Sequence, residues 1–208
     1  KALAYSSTPK DTDNLRGLLE LYNAAIRQGC SSPNCVAFEE AIDVFENAFF
    51  SYPGDMLLNY VLLTPDKKYN PANQNLNIKI INKKRVYDAV PYIIKHLEDS
   101  VSEDLYNDPA FSYINTLVDS GRKEVKPFIR NKLIKNLDKI YENKGFVNHN
   151  VGLLITSLGR LNDTESFNII LDFCKRDLSG SQNLYKSYFE SCLKAFSYYE
   201  SHEFVGFA

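Results

Sequence analysis

NVGLLITSLGRLNDTESFNIILDF, residues 150–173, decides the fold class. Val151, Leu154, Ile155, Leu158 and Leu161 recur at the three-four spacing that lines one face of a helix. Asn162-Asp163-Thr164 interrupts the pattern and supplies a cap, and Phe167, Ile170, Leu171 and Cys174 then restart it. Two amphipathic helices joined by a three-residue turn make a hairpin.

The same design extends in both directions. Upstream, Asp108-Pro109 opens a helix that closes at Ser120-Gly121, and a longer one continues to about Asn143 with Val125, Ile129, Leu133, Leu137 and Ile140 on its buried face. Downstream, Ser181 caps a helix carrying Leu184, Tyr188, Cys192, Ala195, Phe196 and Tyr199. Helix pairs thus begin near Pro109, Asn148 and Ser181, at intervals of 39 and 33 residues, inside the range of stacked helix pairs. No strand-rich segment competes. The expected fold is all-α, built of stacked antiparallel helix hairpins in a helical-repeat or solenoid-like array, with a less regular N-terminal part.

That N-terminal part, 1–63, begins with a predicted helix over 13–28, where Leu15, Leu18, Leu19, Tyr22, Ala25 and Ile26 form one stripe. Ser32-Pro33 opens a second, which carries Ala37, Phe38, Ala41, Ile42, Phe45, Ala48 and Phe49 and ends at Pro53-Gly54. A short third is expected over 55–63. Residues 64–77, with Pro65, Pro71 and a cluster of Asn, have little to bury and read as a loop or domain boundary. Ile78, Ile80 and Ile81 suit either a strand or a helix, and Pro91 breaks or kinks the helical pattern around Val86 to Leu97. Residues 78–208 form the repeat-like domain.

At 208 residues the chain can bury a substantial core, and its 44% apolar and 24% charged residues are those of a globular protein. No apolar run reaches the length of a membrane span. Beginning at Lys1 without Met, the chain is expected to be a processed form or an excised piece.

The three histidines, His96, His149 and His202, are far apart and none belongs to a two-His helical ligand motif. Neither a phosphate-cradling glycine loop nor a nucleophile elbow is present, so the sequence points to binding rather than catalysis and calls for no cofactor or metal. Cys30, Cys35, Cys174 and Cys192 read as isolated, mostly buried thiols, the last two on apolar helix faces, which suits a reducing intracellular compartment.

A formal charge of -2 conceals an uneven distribution. Residues 122–144 hold eight basic and three acidic side chains, with Lys132, Lys135 and Lys139 on one helix face beside Arg130. Together with Lys83, Lys84 and Arg85 these are candidate contacts to an RNA backbone, the alternative being a solvated helix surface. The opposite sign gathers at Glu39, Glu40, Asp43 and Glu46, which with the off-stripe Phe50 suggest contact with a protein.

In residues 150–173 the Leu154-Ile155 pair, Leu158 three residues on, the basic Arg160 and the turn at Asn162-Asp163 precede a second helix. In these features the stretch resembles one pentatricopeptide repeat. The resemblance implies binding of single-stranded RNA along the face made by the first helices. Its base-reading position falls at about Gly152, which has no side chain to read with. Enrichment in Asn, Tyr and Lys makes the chain resemble degenerate repeat proteins of fungal mitochondrial gene expression. That implies an RNA-associated or ribonucleoprotein scaffold in mitochondrial RNA maturation or translation, located in the matrix. Tetratricopeptide and armadillo-like arrays share the same periods, and the alternative they imply is a protein-protein adaptor holding a peptide or partner helix.

Overall fold

The computed structural model describes residues 13–18, 20, 22, 24, 35–54, 56–57, 71–99, 108, 110–142, 149–180 and 182–199, with backbone alone at 35–39, 41, 71–75, 99, 149, 177–180 and 182–187. Helix dominates and no strand occurs among the described residues, so the chain is all-α. None of the described helices is long and apolar enough to cross a membrane. The chain divides into two compact units, Lys1–Ala89 and Val90–Ala208.

In the first unit, helical backbone at 13–18, 20, 22 and 24 is followed by α1, Cys35–Phe49, and α2, Pro71–Lys84. Leu15, Tyr22, Phe49, Leu57, Leu76, Ile80 and Ile81 form its core. Leu18, Tyr22, Phe45, Glu46, Phe49 and Leu76 line a cleft where these helices meet, with room for about one water. Residues 71–77, expected as loop, are helical. Pro71 takes the first helical position, where its missing N–H would have been unpaired anyway. Leu76, Ile80 and Ile81 anchor the helix from its middle onward, and the strand-or-helix ambiguity at 78–81 resolves as helix. Arg85 adopts a left-handed φ of 52° just past the end of α2. A 3-10 turn, Tyr87–Ala89, separates α2 from the next helix, so Pro91 stands near a helix start and breaks nothing. Of the expected helix over 55–63, residues 56 and 57 are helical and the rest lie outside the described residues.

The second unit contains α3, Val90–Asp99, α4, Ala110–Ser120, α5, Val125–Glu142, α6, His149–Arg160, α7, Thr164–Gly180, and α8, Gln182–Phe196. The buried stripes follow the periodicity: Val125, Ile129, Leu133, Leu137 and Ile140 on α5, and Val151, Leu154, Ile155 and Leu158 on α6, are all in the core. The ends are capped as the sequence indicates. Asp108 Oδ1 accepts the Ala110 amide at 2.9 Å, and Gly121 ends α4 at a φ of 64°, a conformation open to glycine at little cost.

Side-chain contacts define how these helices run. Asp119 and Arg160, at the C-terminal ends of α4 and α6, pair at 2.6 Å, while Gly152 and Gly159 of α6 meet Ser191 and Ala195 of α8. So α4, α6 and α8 lie side by side and point the same way. On α5 and α7, Arg130 reaches Asp163, and the rings of Tyr141 and Phe173 lie 6.4 Å apart, so these two are also parallel. Against α8, α7 is antiparallel: the rings of Phe173 and Tyr188 are 5.3 Å apart and those of Phe167 and Tyr199 are 5.2 Å apart.

The crossing of α6 and α8 is close enough to require glycine. A Cβ on Gly159 would lie 2.5 Å from Ala195 Cα and 2.6 Å from its carbonyl oxygen, and backbone cannot move aside as a side chain can. Gly159→Ala gains about 1 kcal/mol of helix propensity. Overpacking this contact is expected to cost about 1–3 kcal/mol, so the net effect is destabilising. Urea melts should show a lower midpoint at unchanged slope.

Candidate binding surfaces

The basic side chains of α5 divide into two groups. Arg130 is turned into the protein: its Nε and Nη2 donate to the two carboxylate oxygens of Asp163 at 2.9 and 2.6 Å, Nε also reaches Ser166 Oγ at 3.3 Å, and Nη1 pairs with Glu165. Lys132 donates to Asp108 Oδ2 at 2.5 Å, with its side chain 17% exposed and that of Asp108 5% exposed. Both cations are therefore neutralised by partners inside the unit, and a phosphate would have to displace a carboxylate to use either. Lys135 is exposed and Lys139 half-exposed, so of the four residues expected to form an RNA contact on α5 these two face solvent.

Lys83, Lys84 and Arg85 belong to the other unit, and the first two occupy the last turn of α2, where cations favour the negative end of the helix dipole. Lys83 Nζ lies 4.4 Å from the centre of the Phe50 ring. That ring is 9% exposed and packs edge-on against Phe49, so the sticky aromatic expected at the end of α1 is a core residue. Phe50 lies one residue past the helix, where the chain turns back and the helical stripe no longer predicts which side faces out.

The acidic residues of α1 also separate. Glu46 is half-buried and paired with Lys79 of α2. Tyr22 lies near both charges, and burial together with Glu46 raises its phenol above the ordinary value. Glu40 and Asp43 are exposed and have no ion-pair partner among the described residues. The side chain of Glu39 lies outside the described residues. Val44, which sequence reasoning passed over, is 67% exposed and shares the outer face with Glu40, Asp43 and Asn47, at the spacings that place side chains on one side of a helix. A β-branched apolar residue in the middle of a polar stripe was the available signal.

Two further features escaped the sequence. Around Asp163, burial favours the neutral acid, but hydrogen bonds from Arg130 and Ser166 outweigh it and hold the carboxyl below the ordinary range. Tyr199 Oη donates to the Asp163 carbonyl at 3.2 Å, and burial, reinforced by the Asp163 charge, raises its phenol. The second feature is a disulfide between Cys174 of α7 and Cys192 of α8. The expectation of isolated thiols at these positions is corrected, because antiparallel packing brings the two apolar faces that carry them together. The argument from these cysteines to a reducing compartment falls with it.

No family model, curated protein or solved structure matches the chain.

Proposed function

We propose that this chain is a non-enzymatic binding scaffold built as a stack of helix hairpins, and that its partner is a protein offering a basic amphipathic segment to the outer face of α1. The alternation of α4, α6 and α8 with α5 and α7, with starts that follow the sequence periods, supports the stack. The observation that carries the partner class is Val44, 67% exposed beside Glu40 and Asp43, which have no counter-charge among the described residues. An exposed apolar residue beside two exposed carboxylates suits a segment with an apolar anchor and neighbouring Lys or Arg. On α5, by contrast, Arg130 and Lys132 are held by Asp163 and Asp108, which favours protein over RNA.

Fluorescence anisotropy distinguishes the two partners. The probes are a labelled helical peptide of alternating Lys and Leu faces, its scrambled control, and a labelled single-stranded RNA. The expected result is peptide binding weakened about tenfold or more by Val44→Glu and by Glu40→Lys with Asp43→Lys. Binding of RNA lost on Lys135→Glu and Lys139→Glu, with peptide binding indifferent to the α1 changes, would return the RNA scaffold reading.

A further inference from the structure

Leu161, Asn162 and Asp163 join α6 to α7, and the side chains along this turn part in two directions. Asp163 is turned inward, where Arg130 and Ser166 hold its carboxylate. Its two neighbours, Asn162 and Thr164, are exposed. Asn162 has a left-handed φ of 47°, a conformation that Asn tolerates better than most residues. Its backbone is engaged: the N–H donates to the Gly159 carbonyl at 2.8 Å, and the carbonyl accepts from Lys126 Nζ at 3.5 Å. The side-chain amide makes no hydrogen bond among the described residues, so a group attached to its nitrogen would break none of them.

Asn162-Asp163-Thr164 is also an acceptor triplet for an N-linked glycan, the one Asn-X-Ser/Thr triplet in the chain. Such triplets arise often by chance, and a second observation gives this one weight. The Cys174–Cys192 disulfide lies in the same unit, and disulfides form and persist chiefly in the oxidising compartments through which secreted and cell-surface proteins pass. N-glycans are added along the same route. We propose that the chain folds in an oxidising secretory lumen and carries an N-linked glycan on Asn162, taken from a lipid-pyrophosphate-linked oligosaccharide. Nδ2 of Asn162 attacks the anomeric carbon of the donor. The N–C bond forms, the bond from that carbon to the phosphate oxygen breaks, the lipid pyrophosphate leaves with the electron pair, and Nδ2 gives up one proton. Closing the disulfide passes two electrons and two protons to a disulfide of a lumenal oxidoreductase. Once the chain has folded, Asp163 is taken into its pair with Arg130 and the glycan stands in solvent at the turn. A mitochondrial matrix would supply neither mark. The inference is independent of the α1 partner, which lies in the other unit.

Gel mobility and mass spectrometry of the full chain from its native cells, before and after treatment with a peptide N-glycosidase in heavy-oxygen water, test it. That enzyme releases the glycan and leaves a heavy-oxygen label on the side chain that carried it. The expected result is a single downward shift on treatment, with the label at position 162. The shift should be absent in Asn162→Gln and in Thr164→Ala and retained in Thr164→Ser, which keeps the acceptor triplet. In cells quenched and denatured in acid, Cys174 and Cys192 should resist alkylation until reductant is added. An unmodified Asn162 in the native protein would overturn the proposal, and that readout needs no variant to fold. So would a shift that survives Asn162→Gln, or free thiols at both cysteines, which would remove the oxidising lumen.

Discussion

Asp163→Ala is expected to destabilise the Val90–Ala208 unit by about 3 kcal/mol, seen as a fall in Tm on the order of ten degrees. The Asp163 side chain is 4% exposed and that of Arg130 16%, so removing the carboxylate leaves a guanidinium largely shielded from water, with the Ser166 hydroxyl and Glu165, itself 75% exposed, to answer it. The same change removes the acceptor for Ser166 Oγ. An Arg130→Met, Asp163→Ala double variant should lose less than either single change would suggest, because the stranded charge goes with its partner. The pH dependence has a definite sign. The folded carboxyl titrates below its unfolded value of about 3.9, so the stabilisation is complete above that pH and is lost as pH falls through the folded value. Acid melts of the wild type should therefore show a loss that is absent in Asp163→Ala.

Breaking the Cys174–Cys192 bond is expected to have a comparable effect. It closes a loop with a sequence separation of 18, for which chain-entropy arguments give about 3 kcal/mol. Cys174 and Cys192 are 9% and 3% exposed, so mild reductant should act slowly on the folded chain and readily once it is unfolded. Cys174→Ala with Cys192→Ala should melt lower by a similar amount and be insensitive to reductant. Equal melting of oxidised and reduced protein would show that the bond contributes nothing.

How much of this was legible depends on the range over which each interaction acts. The stripes of α5 and α6 were readable because burial repeats every three or four residues along one element. Asp108 and Gly121 were readable because a cap acts on the adjacent turn. Residues 71–77 were not, since their Asn and Pro disfavour a helix locally and the anchors that stabilise it begin only at Leu76 and continue at Ile80 and Ile81. The pairings of Arg130 with Asp163 and of Cys174 with Cys192 join different helices of the second unit, and a single sequence says which residues carry charge or sulfur but not which they meet. The only trace of the first was its separation of 33 residues, equal to one of the helix-pair intervals. On the candidate surfaces, composition marked two charged groups along the chain. Which members face solvent depended on the partners: Lys79 and Lys83 turn Glu46 and Phe50 inward, while Glu40, Asp43 and Lys135 remain outside.

The central claim is that the partner is a protein held on the outer face of α1. Its most direct test is crosslinking of the full chain in its native cells with a reagent that joins carboxylates to amines, alongside ultraviolet crosslinking to RNA. The account predicts links from Glu40 and Asp43 to lysines of one partner, lost in Val44→Glu while the chain keeps its melting temperature. RNA crosslinks centred on Lys135 and Lys139, with no carboxylate links from α1, would contradict it.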